Sequence, residues 1–177
     1  MKLLHSILTA LPADPVPVRK VIIGVHWTVV CSTGCGLAST MLSSRHPHHA
    51  PIQDAGELHH RTAQDLAEWI LSDNLLEASI GMAAVNSLTE IDESRLVDIN
   101  AAEVIKEKSK DRNLAVVGHF PFVEKIRKIP RNCWVIEKQP VGDDFPEDAA
   151  GEYIPQADVV AITGTAFINP TMKHLLT

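Results

Sequence analysis

The chain contains 177 residues, and 45% of them are hydrophobic, which is enough to bury the core of one domain or of two small domains. Its formal net charge of -6, together with the lack of a local Lys and Arg cluster, argues against nucleic acid as a partner. The longest apolar runs are far shorter than the roughly 20 residues that cross a bilayer, so the sequence predicts no membrane span.

The first 90 residues are predicted to form an α+β domain. Leucines at positions 4, 8 and 11 fall on one face of an amphipathic N-terminal helix. Two further helices are predicted to begin at Thr62, a plausible N-cap, and at Asp73. Runs of β-branched residues predict strands over 19–24, 26–32 and 37–42. Strands followed by helices favour an α+β domain over residues 1–90.

Residues 91–110 are rich in charge and predict an exposed junction helix. From 111 to 177, the apolar runs "LAVV", "CWVI" and "ADVVAI" alternate with short helical segments, which predicts an α/β domain with three parallel strands and Rossmann-like winding. Asn169 and Pro170 fit the cap and first turn of a last helix. Because that helix stops at Thr177, we expect this domain to be incomplete at its C-terminus, and its uncovered edge to favour a homo-oligomer.

Ligands of doubly wound sheets bind at the carboxyl ends of the strands, where loops offer unpaired N–H groups. A classical dinucleotide fingerprint is absent, because His119 and Pro121 stand where a glycine-rich turn would be. Asn86 is the odd polar residue of an apolar helix, and it either braces neighbouring backbone or faces a cleft. The predicted ligand-binding residues are Gly118, His119, Phe120, Pro121, Glu137, Thr163, Gly164, Thr165, Asn169 and Asn86.

Five of the nine histidines lie within residues 46–60, and neutral imidazole is a common metal ligand. They match no fixed ligand spacing. Cys31 and Cys35 could add thiolates or pack as small hydrophobes. The odd number of cysteines, three, argues against a disulfide framework and indicates a reducing cytoplasm. The candidate metal ligands are His119 and Glu137 at the strand ends and His46, His48, His49, His59 and His60 in the histidine-rich segment.

The segments "IGVHWTVV", "ASIGMAAVNSL", "VVGHFPFVEKIRK" and "ADVVAITGTAFINPTMKHLL" together resemble the heavy-metal chelation family. The resemblance implies an N-terminal domain like that of enolase, a C-terminal Rossmann-like domain and a cleft between the two. It also implies a role in handling a metal or a metal-chelating small molecule, with no established reaction. Family members run some tens of residues further than this sequence, and the histidine-rich segment is not part of the resemblance.

Three functions therefore compete. The favoured hypothesis is a binding protein whose interdomain cleft holds a transition-metal ion, or a small chelator with its metal. The alternative is an enzyme that uses a nucleotide-like or SAM-like cofactor at the strand ends, with His119 as general acid or base and Glu137 orienting the substrate. No nucleophile and base pair can be recognised from spacing. An accessory subunit, completed by another chain, is the third.

Overall fold

A computed structural model describes residues 2–42, 51–118, 120–169 and 171–175. Its contacts divide the chain into two compact units. Unit 1 comprises residues 1–91 and 165–173, and unit 2 comprises 92–164 and 174–177. The helices are α1 (Lys2–Thr9), α2 (Ala63–Ala67), α3 (Leu75–Leu88), α4 (Ala101–Ser109), α5 (Val123–Ile126), α6 (Ala150–Tyr153) and α7 (Met172–Leu175). The strands are β1 (Lys20–Ile23), β2 (Trp27–Cys31), β3 (Cys35–Ser39), β4 (Asn113–Val117), β5 (Asn132–Glu137), β6 (Phe145–Pro146) and β7 (Val159–Ile162).

Unit 1 contains an antiparallel sheet in the order β1-β2-β3. Residues alternate across it as the two-residue period of a strand requires: Thr28 and Val30 of β2 are buried, whereas Trp27 on the opposite face is exposed. The three predicted strands are confirmed, although β3 begins at Cys35 rather than at residue 37. One face of this sheet therefore covers the core, and the other is open to solvent.

Helix α3 packs against the buried face of that sheet. A Cβ atom at Gly36 would lie 2.1 Å from the Ala83 carbonyl oxygen, so only glycine allows β3 and α3 to approach this closely. The apolar side of α1 packs on the same core, as its leucine spacing predicts. Thr62 and Asp65 form a reciprocal capping box at the start of α2, which confirms the predicted cap, and Asn74 rather than Asp73 caps α3.

Unit 2 contains a parallel sheet in the order β6-β5-β4-β7. The parallel pairing was predicted, but the expected number of strands was wrong, because β6 adds a fourth. This strand has two residues, Phe145 and Pro146, which is too short to give an apolar run in the sequence. Buried residues of β4, β5 and α5 form the core of this unit.

Two local expectations also need correction. The junction segment becomes helical at Ala101, after Asn100 caps α4, rather than from residue 91. The last helix begins at Met172, so Asn169 is not its N-cap, and Pro170 lies outside the described residues. None of the helices in the described part of the chain has the length and apolar character that a bilayer crossing requires.

Candidate metal site

Three metal-ligating side chains meet on one turn of unit 1. Glu57, His59 and His60 each offer a ligand atom, and these atoms all lie within 4.8 Å of one another. The Nδ1 atom of His60 lies 3.0 Å from a carboxylate oxygen of Glu57, and the two imidazole rings are 4.0 Å apart between centroids. All three residues are exposed. A carboxylate and two imidazoles thus lie within reach of a single ion.

The turn that carries these side chains is fixed by its own backbone. Leu58–His60 forms a single turn of 3₁₀-helix, in which the His60 amide donates to the Glu57 carbonyl at 2.9 Å. The side chain of Leu58, between the candidate ligands, is only 6% exposed and belongs to the core of unit 1. The preceding bend uses positive φ angles at Asp54 and Gly56. The ligands therefore project from an anchored turn.

Arg61 holds the other end of the same turn. Its guanidinium forms an ion pair with Asp54 and lies over the ring of Trp69, 5.3 Å from the ring centroid. Its carbonyl accepts a hydrogen bond from the amide of Val18, next to the sheet. These contacts close the segment from 54 to 61 on itself and attach it to the domain.

The donor set fits a transition metal. Zinc binds imidazole nitrogen and carboxylate oxygen at about 2.0–2.2 Å, which places neighbouring ligand atoms roughly 3–3.5 Å apart. The 3.0 Å separation between Glu57 and His60 is already in that range, and rotation of the exposed His59 side chain would bring its nitrogen closer. Because three protein ligands leave a tetrahedral ion one position short, water or a small chelator would complete the shell.

The cysteines contribute no thiolate in this structure. Cys31 and Cys35 form a disulfide, so the expectation of no disulfide was wrong. The odd number of cysteines does not exclude a disulfide, because two of them pair locally across a hairpin and Cys133 remains as the free thiol. Burial raises the pKa of the Cys133 thiol, and this side chain packs against the core of unit 2. Its sulfur is therefore poorly suited to a metal.

Of the residues predicted at the strand ends, Gly118 and Thr163 are neighbours in unit 2. Gly118 directly follows the last residue of β4, and its φ angle of +104° lies in the region that favours glycine. A Cβ atom there would lie 3.0 Å from the Thr163 side chain, and the Thr163 amide donates to the carbonyl of Val117. The loops that follow β4 and β7 are thus adjacent, as parallel pairing of these strands requires.

The other predicted residues of unit 2 lie at the end of β5, in the loop before α5 and in a short 3₁₀ turn. Glu137 ends β5, and one of its carboxylate oxygens accepts a hydrogen bond from the Lys138 amide at 2.9 Å. Phe120 stacks on Phe122 at 5.1 Å between centroids and packs on the core. Pro121 is exposed just before α5, and Gly164 opens a short 3₁₀ turn.

Three of the predicted ligand-binding residues, Thr165, Asn169 and Asn86, lie in unit 1. The Thr165 carbonyl accepts hydrogen bonds from the amides of Ile168 and Asn169, and the Asn169 side chain accepts one from the Thr171 hydroxyl. The side-chain amide of Asn86 donates to the Leu37 carbonyl at 2.8 Å. Asn86 therefore braces the adjacent strand, which is the first of its two predicted roles.

Four of the predicted metal ligands, His119, His46, His48 and His49, lie outside the described residues. His59 and His60 are the two histidines of the histidine-rich segment that the structure describes. Sequence reasoning missed Glu57 as their partner. The signal was the local pattern "ELHH", in which a 3₁₀ turn places the first and last residues on one side.

Comparison with known proteins supports a metal-handling family. One family model, DUF4213, matches residues 6–89, and a second, DUF364, matches residues 100–177; both are described as "Putative heavy-metal chelation". No curated protein matches the chain in sequence.

Two solved structures of DUF364 proteins of unknown function share the fold. One, from Desulfitobacterium hafniense, is 24% identical with a TM-score of 0.83, and the other, from Pyrococcus horikoshii, is 17% identical with a TM-score of 0.75. Each match covers 99% of this chain and 72% of the other. The two family models together match most of the chain and carry the same description, so the chain belongs to the family described as "Putative heavy-metal chelation".

Proposed function

We propose that this protein binds a transition-metal ion through Glu57, His59 and His60. The observation that carries the proposal is the convergence of one carboxylate and two imidazoles within 4.8 Å on an anchored turn. The description of both family models as heavy-metal chelation supports the same chemistry. We propose no reaction at this site. The bound ion would be the cargo of the protein, or it would link the protein to a small chelator.

The donor types set the class of ion. Imidazole nitrogen suits Zn²⁺, Ni²⁺, Co²⁺ and Cu²⁺, whereas Mg²⁺ and Ca²⁺ prefer an all-oxygen shell. A bound ion would be shared by the Nδ1 atom of His60 and the Glu57 carboxylate, which lie 3.0 Å apart. Because imidazole must be neutral to bind a metal, acidification should weaken binding.

Calorimetric titration of tag-free protein with Zn²⁺, Ni²⁺ and Mg²⁺ tests the proposal. We expect binding of Zn²⁺ and Ni²⁺, none of Mg²⁺, and a loss of at least about 100-fold in Zn²⁺ affinity in the double variant His59→Ala/His60→Ala, because two of three ligands are gone. The matched control is His26→Ala, which removes an exposed imidazole of the same unit that lies outside the cluster.

Glu57→Gln gives an intermediate result. The amide keeps the size of the side chain but removes the negative charge, so we expect Zn²⁺ affinity to fall by about tenfold. If His59→Ala/His60→Ala binds Zn²⁺ as tightly as wild type, this site is not the metal site.

A second candidate is the strand-end site of unit 2, which would hold a small metal-chelating molecule or a nucleotide-like cofactor. The observation that favours it is the loop at Gly118, where only glycine fits against Thr163. This loop lies beside the end of β5, which carries Glu137. A Rossmann-like winding of unit 2, an enolase-like unit 1 and a cleft that draws on both units belong to this candidate and stay predictions. If this second candidate is correct, Glu137→Gln should abolish ligand binding, and His59→Ala/His60→Ala should not.

A further inference from the structure

The hairpin of unit 1 places two cysteines directly opposite each other. Cys31, the last residue of β2, pairs with Cys35, the first residue of β3, and their Cα atoms are 4.1 Å apart. Both side chains lie on the face of the sheet away from α3, where Cys35 is exposed and Cys31 is half-buried. Small reductants and metal ions in solution can therefore reach this disulfide.

Two positively charged side chains lie near the cysteine pair. Lys20 lies opposite Cys31 in the β1–β2 register and so shares its face of the sheet. The guanidinium of Arg19 donates to the carbonyl of Thr33, inside the hairpin loop, at 3.4 Å. The thiolate form of a reduced cysteine is the metal ligand, and positive side chains beside the pair would stabilise it.

The hairpin has anchors that do not depend on the disulfide. Buried Ser32, in the loop between the cysteines, hydrogen bonds through its hydroxyl to the hydroxyl of Ser87 at 2.6 Å. The amide of Gly34 donates to the Ser87 carbonyl at 3.0 Å. Because Ser87 belongs to α3, these contacts fasten the loop to the helix beneath the sheet. Reduction should leave both cysteines in their places.

We propose that reduction of the Cys31–Cys35 disulfide creates a second metal site, specific for soft ions such as Cd²⁺, Hg²⁺ and Cu⁺. A dithiol reductant supplies two electrons and two protons: the sulfur–sulfur bond breaks, two cysteine thiols form, and the dithiol becomes a disulfide. A divalent ion then binds both sulfurs and releases two protons.

The geometry and the chemistry of the donors distinguish this site from the imidazole site. Metal–sulfur bonds of about 2.3 Å place two thiolates of one ion roughly 4 Å apart, a separation that rotation of directly opposed cysteine side chains supplies. Thiolates select soft ions, whereas the carboxylate and imidazoles of the Glu57 turn select borderline ions. The chain would therefore hold two classes of metal ion, one of them only under reducing conditions.

Titration of Cd²⁺ into oxidised and reduced wild-type protein tests the proposal. Reduction with a phosphine, followed by anaerobic desalting, avoids competing small thiols. We expect the reduced protein to bind one more equivalent of Cd²⁺ than the oxidised protein, with the ultraviolet charge-transfer absorption of cadmium thiolate. Equal Cd²⁺ stoichiometry in the two states would overturn the proposal.

Variants identify the sulfurs. Cys31→Ser and Cys35→Ser should each abolish the charge-transfer band, and Cys133→Ser, which removes the remaining cysteine, should keep it. Circular dichroism of reduced wild type checks that the fold is retained, so the result does not depend on a variant folding. Loss of the band in Cys133→Ser alone would refute the assignment. His59→Ala/His60→Ala should leave the band unchanged, so failure of the imidazole site and failure of the thiol site are separate outcomes.

Discussion

The Glu57–His60 turn and the strand ends of unit 2 bring the side chains of a candidate ligand site together in two different ways. On the turn, three donors within four consecutive residues converge because a single 3₁₀ turn brings them together. At the strand ends, Gly118 and Thr163 are 45 residues apart in sequence and become neighbours only because β4 and β7 pair in parallel. The first arrangement depends on a local backbone, and the second depends on the fold of a whole unit.

This difference is why we favour the turn over the strand ends as the metal site. The turn offers nitrogen and carboxylate ligands that already lie close together, and its backbone is held by Leu58 and Arg61. Ordering a flexible segment costs on the order of 1–2 kcal/mol per residue, and an anchored turn avoids most of that cost. At the strand ends, the described side chains of Glu137 and Thr163 supply oxygen, which heavy metals favour less.

The largest effect on stability is expected from a substitution of Leu58, which anchors the Glu57–His60 turn in the core. Leu58→Ala removes a buried side chain from the core of unit 1 and should lower the free energy of unfolding by about 2–5 kcal/mol. Leu58→Met, which conserves volume, should cost less than about 1.5 kcal/mol. Chemical denaturation followed by circular dichroism measures both. Equal stability of Leu58→Ala and wild type would show that the turn is not fixed through the core.

Gly118→Ala tests the strand-end loop, and we expect a smaller loss. The positive φ angle and the 3.0 Å approach to Thr163 should cost about 1–3 kcal/mol of stability in unit 2, without changing Zn²⁺ affinity at the turn. Gly164→Ala is the matched control, because a Cβ atom there meets no described atom within 4 Å. If Gly118→Ala weakened Zn²⁺ binding and Gly164→Ala did not, the strand ends would take part in metal binding.

The smallest effect concerns the helix cap that follows the turn. Hydrogen bonds from the side chain and the backbone of Thr62 lower the pKa of Asp65, outweighing the opposing effect of burial. Because the folded pKa is depressed, this carboxylate stabilises the fold above its unfolded pKa of about 3.8, and the contribution is lost as pH falls through the lower, folded value.

Asp65→Asn should therefore lower stability at neutral pH by a few tenths to about 1 kcal/mol, and the difference from wild type should disappear as the pH falls below the lowered pKa of Asp65. Urea denaturation midpoints measured from neutral to acidic pH test this expectation. A difference that stayed constant from neutral to acidic pH would exclude ionisation of Asp65 as its source.

Much of the fold could be predicted from the sequence, because the patterns involved are local. The leucine spacing of α1, the Thr62 cap and the β-branched runs of β1 and β2 each act over a few residues. The two-residue strand β6 gives no such pattern and forms only because β5 offers a free edge. The odd number of cysteines also gave no indication of the disulfide, which forms because the hairpin register places Cys31 opposite Cys35.

The candidate site was predictable in part. His59 and His60 were predicted as candidate ligands from their residue type alone, but the position of Glu57 beside them required knowledge of the 3₁₀ turn. The side chain of Asn86 was assigned two roles that sequence could not separate, because the Leu37 carbonyl it contacts lies 49 residues away. Contacts over such separations depend on the packing of β3 against α3.

The most direct measurement is the position of the ion itself. Crystals of the tag-free protein grown with Zn²⁺ should show an anomalous difference peak at the zinc absorption edge within about 2.2 Å of nitrogen atoms of His59 and His60 and of a carboxylate oxygen of Glu57. Such a peak, absent from crystals of His59→Ala/His60→Ala, is the result our account predicts. A zinc peak at Glu137 and Thr163, with none at the Glu57–His60 turn, would contradict it.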